Sequence, residues 1–376
     1  MAPRTVLYLT PSSRLLGARR SLLQLVANLD PERYRPVVVS QRPGDLVDAL
    51  RDAGVATHVL FMGWWRKARY WPLLPWRIAR LAALARREGT ELIHCNEFHS
   101  NPYGVLAAYW AGRAPVVTHM RLSITPRQIR QYLLRRAARV VAVSQAAARL
   151  FDVWPDARER VEVVYNGVDL KEFRSGVDKA EARRRLALRA EDFVVGQFGL
   201  VSARKRPHLL VRAAGILRSA LPNLRVLIVG SPGRSDATYE RDVRTAAREL
   251  GEVVRFVPFT SRVADVYRAC DVNVLVSSDE GFGRTIIEAG ALGIPSIGAR
   301  TGGIPELIEE AKTGCLVPSD DDGGAALAAC IGDLARNPAR CRALGEAARA
   351  HIEARFSIQR HAAEIMRVYD QVRAGA

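Results

Sequence analysis

The sequence predicts an α/β protein of two domains built on parallel sheets, and three observations predict it. The chain has 376 residues, more than one ordinary core holds, so two domains of about 150–200 residues are expected. Short runs rich in Val and Ile alternate with longer helical patterns almost throughout. Those runs are continuously apolar rather than alternating, which is the pattern of parallel strands covered on both faces. Hydrophobic residues make up 48% of the chain and charged residues 25%, enough core material to exclude a disordered protein.

Taken in order, the strand candidates of the first half are "TVLYLT", "RPVVVSQ", "VATHVL", "LIHCN", "VVTHMR", "VVAVS" and "VEVVYN". Between them, "ARRSLLQLVANL" and "RIARLAALARR" carry helical spacing. The second half repeats the rhythm with "FVVGQFGL", "RVLIVG", "VRFVPF", "VNVLVS" and "IPSIGA". Two such series predict two Rossmann-like domains, residues 1–170 and 171–356, with the seam near Tyr165 to Phe173. From about Asp321 the chain reads as helix only, and "SIQRHAAEIMRVYDQVRA" predicts a terminal helix, about 357–376, that braces the first domain. There is no repeat of solenoid period and no low-complexity segment.

Composition narrows the function. The cysteines Cys95, Cys270, Cys315, Cys330 and Cys341 are scattered, without a Cys-x-x-Cys pair. That predicts free thiols in a reducing compartment and argues against a zinc site or a disulfide scaffold. The opening "MAPRTVLYLTPSSR" runs straight into a strand, so no signal peptide is expected. No uncharged run approaches the roughly 18 apolar residues of a spanning helix, and a cytoplasmic protein is expected. The net charge is +17, and only five of the 56 basic residues are Lys. An arginine excess reflects either composition bias or an anionic partner: a phosphorylated ligand, an acidic membrane surface or nucleic acid. Without zinc-finger spacing, an aromatic RNA-binding strand or a basic tail, nucleic acid is not the expected partner.

The chemistry concentrates in "VNVLVSSDEGFGRTIIEAGAL", Val272 to Leu292, which reads as strand, loop Ser277 to Gly283, then helix from about Arg284. In open parallel sheets ligands bind where strand ends meet helix N-termini. Glycines there let backbone N–H groups approach an anion, and the helix N-terminus adds partial positive charge. Glu280 lies in the loop and Glu288 about one turn into the helix. A carboxylate accepts from two neighbouring hydroxyls, so both suit a polyhydroxylated ligand, although each also reads as an ordinary solvated glutamate.

The stretch "EGFGRTIIEA", followed by "GIPSIGARTGGIPELI" and "TGCLVP", resembles the hallmark of family 4 of the retaining glycosyltransferases, which have the GT-B fold. "LLGARRSLLQL", "VVTHMR", "VVAVSQ", "VEVVYNGVD" and "FGLVSARKRPHLL" fit the same family in order and separation. The resemblance spans nearly the whole chain. It implies two Rossmann-like domains facing a central cleft, the first on the acceptor side and the second holding a nucleotide-diphosphate sugar. It implies that Glu288 binds the nucleotide ribose and Glu280 the donor-sugar hydroxyls. The amides of Gly281, Phe282, Gly283 and Arg284 would face the sugar and diphosphate, with Thr285 beside them. Lys205 aligns with the family's diphosphate-binding lysine, where a fixed cation stabilises the departing charge. The usual arginine after Gly199 is replaced by Leu200, so Arg204 or Arg206 is the candidate substitute.

His119 ends "VVTHM" and resembles the family's histidine near the donor sugar, where it can donate a hydrogen bond and change charge near neutral pH. His94 and His99 are weaker candidates of the same type. Gly17 matches the family's glycine loop, usually Gly-Gly-Ala-Glu. Here "LGAR", Leu16 to Arg19, carries an arginine in place of the acid, either to favour an anionic acceptor or as surface compensation. Asn166, Gly167 and Asp169 match an interdomain motif read as structural. "SDDDGG", Ser319 to Gly324, reads as a helix-start loop rather than a metal site. The family generally needs no metal, and no metal or other cofactor is expected.

One stretch lies outside the motif set. Gly63 to Arg87 holds Trp64, Trp65, Trp71 and Trp76, interleaved with Arg66, Lys67, Arg69 and Arg77. Tryptophan with arginine is the composition of interfacial segments. It predicts a face for an anionic membrane or a lipid-linked acceptor, against the alternative that the rings pack inward. The expected function is therefore transfer of a sugar, with retention, from a nucleotide-diphosphate sugar to a glycan or lipid-linked acceptor. The site is served by His119, Lys205 and Glu280, on a protein that is cytoplasmic or peripheral on the inner membrane face. The rivals are a sugar-nucleotide 2-epimerase, a non-catalytic nucleotide-sugar binder and, last, a basic nucleic-acid binder.

Overall fold

The computed structural model describes residues 2–13, 17–154, 157–231, 236–260, 262–320 and 323–374. The chain divides into two compact units, residues 1–167 with 358–376 and residues 168–357.

The first unit is built on seven parallel strands: β1 (Arg4–Thr10), β2 (Tyr34–Ser40), β3 (Ala56–Val59), β4 (Thr90–Cys95), β5 (Val116–Met120), β6 (Arg139–Ala142) and β7 (Val161–Val163). Their order is β3-β2-β1-β4-β5-β6-β7. Side chains of a strand alternate between faces, and β1 fills both. Val6 and Tyr8 pack with Leu22, Leu25 and the terminal helix Ile358–Ala374, through Ala362, Ile365, Val368 and Tyr369. Leu7 and Leu9 pack on the opposite side with Ile78, Leu81, Tyr103 and Ala107. This two-sided burial is why "TVLYLT" is continuously apolar, and each such aliphatic side chain contributes roughly 1.5–3 kcal/mol. The terminal helix thus belongs to the first unit.

The second unit has six parallel strands: β8 (Phe193–Phe198), β9 (Leu224–Val229), β10 (Val254–Val257), β11 (Val272–Leu275), β12 (Ser296–Ala299) and β13 (Gly314–Val317). Their order is β10-β9-β8-β11-β12-β13. Val195, Leu210, Leu224, Val226, Val272, Val274, Ile297, Leu327 and Ile331 form its core. Among the described residues, β13 is the one strand that the apolar-run reading passes over: four residues opening on Gly314, laddered with β12 at the sheet edge. All five cysteines are free thiols. No helix among the described residues is long and apolar enough to cross a membrane.

Both sheets have the doubly wound order, in which the first strand and the fourth are neighbours and the chain winds outward from each. The crevice at the carboxyl ends of those two strands is where such sheets take ligands. In the first unit this lies beyond β1 and β4; in the second, beyond β8 and β11.

Candidate active site

In the second unit the loops after β8 and β11 are laced together. Ser278 N–H donates to the Arg204 carbonyl at 2.9 Å, and the Arg204 guanidinium donates to the Asp279 carbonyl at 2.8 Å. Gln197, near the end of β8, donates to the Lys205 carbonyl at 2.7 Å. These bonds bring together Lys205 and Glu280, which are 75 residues apart: Lys205 Nζ lies 2.5 Å from Glu280 Oε2. Ser277 Oγ donates to the same oxygen at 3.1 Å, and an Arg204 nitrogen lies 3.5 Å from it. Burial raises the Glu280 carboxyl, but the Lys205 and Arg204 charges and the bonds from Lys205 and Ser277 outweigh it and hold the group below the usual carboxylate range.

Gly302, in the "RTGGIPEL" motif, makes this position possible. Its φ is +52°, and a Cβ there would meet the Glu280 carbonyl oxygen at 2.0 Å. The neighbouring Gly303 N–H donates to that oxygen at 2.9 Å. The glycines of the motif therefore let one loop press against the backbone of the other.

The helix Arg284–Ala291 begins after Gly283, whose φ of +110° no bulky residue adopts readily. Gly281 and Phe282 are buried beside it. Thr285 Oγ1, in the first turn, is buried without a hydrogen-bond partner among the described residues. An orphaned hydroxyl in the first turn of a helix is a place for an anion. One turn on, Glu288 accepts from Arg284 Nη2 at 3.0 Å and from Tyr267 Oη at 3.1 Å. Tyr267 is stacked on Phe198 with ring centroids 3.6 Å apart. Glu288 is thus a buried, ion-paired carboxylate rather than a solvated one. Leu200 is 38% exposed, and Arg206 does not stand in for the missing arginine. It is buried, in the left-handed region at φ +51°, and donates to the Ser319 carbonyl at 2.6 Å. Arg204 is the cation that the fold leaves beside Lys205.

In the first unit, His119 is fully buried at the end of β5. Its Nδ1 lies 3.3 Å from an Arg121 nitrogen, and its Nε2 has no hydrogen-bond partner among the described residues. Burial, then the Arg121 charge and the neighbouring His94 and His361, hold the imidazole well below its usual range. The expectation that His119 changes charge near neutral pH is therefore corrected: it stays neutral because a buried cation beside an arginine is too costly. His94 is likewise buried and neutral, 2.5 Å from Tyr369 Oη, and is a core residue.

Gly17 opens the helix Gly17–Val26, and a Cβ there would meet nothing described within 4 Å. Leu16 lies outside the described residues. Arg19 is neither a surface residue nor a free cation for an anionic acceptor: it lies 3.2 Å from Glu97 Oε1, at the end of β4. His99 Nδ1 is 4.0 Å from the other oxygen. Asn96, Glu97, Arg121, Ser277 and Tyr267 went unmarked in the sequence, because their roles come from strand adjacency and no local pattern carries them. Asp321 and Asp322 of "SDDDGG" lie outside the described residues. Among those described, no three His, Cys, Asp or Glu side chains group as metal ligands.

The tryptophan stretch divides. Trp64, Trp71 and Trp76 are 43%, 58% and 56% exposed, and Arg66, Lys67 and Arg69 are exposed among them. Trp65 is not part of that face. It donates to the Gln131 carbonyl at 2.8 Å and packs edge-on against Tyr103, anchoring the segment to the core. Arg77 is also turned inward, over the rings of Phe61 and Tyr70.

Two units, each built on a doubly wound parallel sheet, are the architecture of the GT-B glycosyltransferase fold. Residues 178–351 match the glycosyl transferases group 1 family, and residues 16–172 match Glycosyltransferase Family 4. The chain belongs to this glycosyltransferase family. A D-inositol 3-phosphate glycosyltransferase of Streptomyces avermitilis is 33% identical over 300 residues, 76% of this chain and 61% of its own. One from Mycobacteroides abscessus is 39% identical over 184 residues, 48% of this chain and 40% of its own. The chain spans about half the length of the curated relatives it matches. Anabaena Alr3699/HepE, solved in complex with UDP and glucose, has a TM-score of 0.85 at 25% identity over 97% of this chain and 99% of that one.

Proposed function

We propose that the protein transfers a sugar from a nucleotide-diphosphate sugar, with a uridine nucleotide as the first candidate, to a glycan or lipid-linked acceptor in cell-envelope or surface polysaccharide synthesis. The observation that carries this reading is the charge at the second unit's crevice. Lys205 and Arg204 reach Glu280, in the loop that leads into a helix whose Thr285 hydroxyl is buried without a partner among the described residues. A diphosphate that gains charge as its glycosidic bond breaks needs cations, amides and a hydroxyl in such an arrangement. Glu280 would then accept from the sugar and Glu288 from the ribose. The likeness to a protein solved with UDP and glucose supports the uridine nucleotide.

Retention of configuration and independence from metal belong to the proposal. With no side chain assigned as nucleophile, the departing phosphate itself takes the acceptor's proton on the face it leaves.

UDP, GDP, ADP and TDP, each without added metal, test the donor site by thermal shift. A ligand held at 100 times its Kd stabilises by about 2.7 kcal/mol, which is a rise of roughly 5–10 °C for a unit of this size. One nucleotide is expected to raise the melting temperature of the parent and not of Glu288→Ala, with EDTA making no difference. An NMR assay of the anomeric proton in the product then reads retention. No stabilisation by any nucleotide sinks the donor site, and donor turnover without an acceptor favours an epimerase.

The exposed Trp64, Trp71 and Trp76, set among cations, support peripheral docking on an anionic bilayer from the cytoplasmic side. Changing all three to serine is expected to lower partition onto phosphatidylglycerol vesicles at least about ten-fold. Equal binding by parent and variant removes the docking reading, and Trp65→Ser, which strikes the core, is the destabilised control.

A further inference from the structure

We infer that Arg121 is a positioning residue that fixes the tautomer of His119, so that the ring presents its Nε2–H as a hydrogen-bond donor. The inference rests on the place beside the donor sugar that the family resemblance implies for His119, and names how its role there is set.

Residues two apart on an extended segment share a face, and Arg121 follows β5 two residues after His119. Its buried guanidinium is held from three directions. Nε donates to the Asn96 carbonyl at 3.1 Å and Nη2 to Asn96 Oδ1 at 3.0 Å. Nη1 donates to Asn166 Oδ1 at 2.7 Å. Nη2 also faces His119 Nδ1 at 3.3 Å. A guanidinium has five donors and no acceptor, so in this contact Nδ1 must accept. A neutral imidazole that accepts at Nδ1 carries its proton on Nε2.

That proton meets no acceptor among the described residues, where Nε2 is buried without a partner. Leaving a buried donor unmade is costly, and such a group in a native structure calls for an explanation. A ligand oxygen supplies one. The other titratable groups around the ring are His94, with centroids 5.5 Å away, and His361, at 6.1 Å. Neither offers His119 a carboxylate that would draw a proton to Nδ1. The sequence-level link is Asn166, in the motif read as structural: here it orients the arginine that orients the histidine.

The test is nitrogen-15 NMR of the histidine rings, with turnover measured in parallel. In the parent, His119 should show the Nε2–H form, unchanged from pH 5 to pH 8. In Arg121→Met the Nδ1 partner is gone, and the ring should take a proton or mix tautomers within that window. Turnover should fall about 10²-fold with KM little changed, the range between a lost supporting contact and a wrong tautomer. Arg121→Lys, which keeps a donor, should recover part of both. In a His119→Ala background Arg121→Met should cost little more, since the two act as one unit. An Nδ1–H or charged His119 in the parent overturns the inference. So does an Arg121→Met protein with an unaltered ring signal, or additive losses in the double variant. If His119→Ala leaves turnover intact, the role of His119 itself fails, whatever the NMR reads.

Discussion

Lys205→Ala is expected to lower kcat/KM about 10³-fold and to abolish stabilisation by nucleotide. One preorganised donor facing developing charge is worth about 10² to 10³ in rate, and Lys205 is the cation nearest Glu280 in the second unit's crevice. The same change should cost about 2–3 kcal/mol of stability, because it leaves a buried carboxylate with fewer compensating charges. The sign with pH separates this from a general packing loss. In the parent, the Glu280 carboxyl is held below its unfolded value, so its contribution is full above the ordinary carboxylate range and is lost as pH falls through the lowered value. Without Lys205, burial pushes the carboxyl upward. The stability gap between parent and variant should therefore be widest at neutral pH and close on acidification. Adding Glu280→Gln to Lys205→Ala should restore most of the stability and none of the activity. A Lys205→Ala protein that is still stabilised by nucleotide, with activity within ten-fold of the parent, would refute the assignment.

The strands were legible because both faces of each sheet are covered, which leaves runs such as "PVVVS" and "VLIV" without polar interruption. Strand β13 was not, since Gly314 and Cys315 sit next to turn residues and an edge strand needs only one neighbour. The motif residues Glu280, Glu288 and Lys205 stood out through local chemistry, yet nothing local says that Lys205 touches Glu280. That contact follows from β8 and β11 being neighbours, a property of strand order. The same holds for Arg121 with Asn96 and Asn166. Trp65 was misplaced for the converse reason. Composition cannot tell a tryptophan that faces water from its neighbour that bonds to the Gln131 carbonyl. Charge excess was equally blind, since Arg19, Arg77, Arg121 and Arg206 are held by contacts within their own units.

Arg19→Glu is expected to destabilise the protein, although it restores the acid usual in the family's glycine loop. Arg19 enters from the helix after β1 and Glu97 from the end of β4, so the pair bridges the crevice of the first unit at 3.2 Å. Their side chains are only 20% and 9% exposed, so solvent screens the pair weakly. Glu97 at the neighbouring strand end is the acid of this pair, and the arginine is its counter-ion. A glutamate at position 19 would set two carboxylates against each other, which raises one of their pKa values and costs about 2 kcal/mol. A loss of that size lowers the melting temperature of a unit this large by about 4–8 °C. Exchange of the charges, Arg19→Glu with Glu97→Arg, should recover at least about 1 kcal/mol, because residues in one ion pair do not behave additively. The deficit should also shrink as the pH is lowered through the carboxylate range, where one of the two acids takes up a proton. Equal stability of Arg19→Glu and parent, with no recovery on exchange, would mean that the contact carries no energy and that Glu97 is held by its surroundings alone.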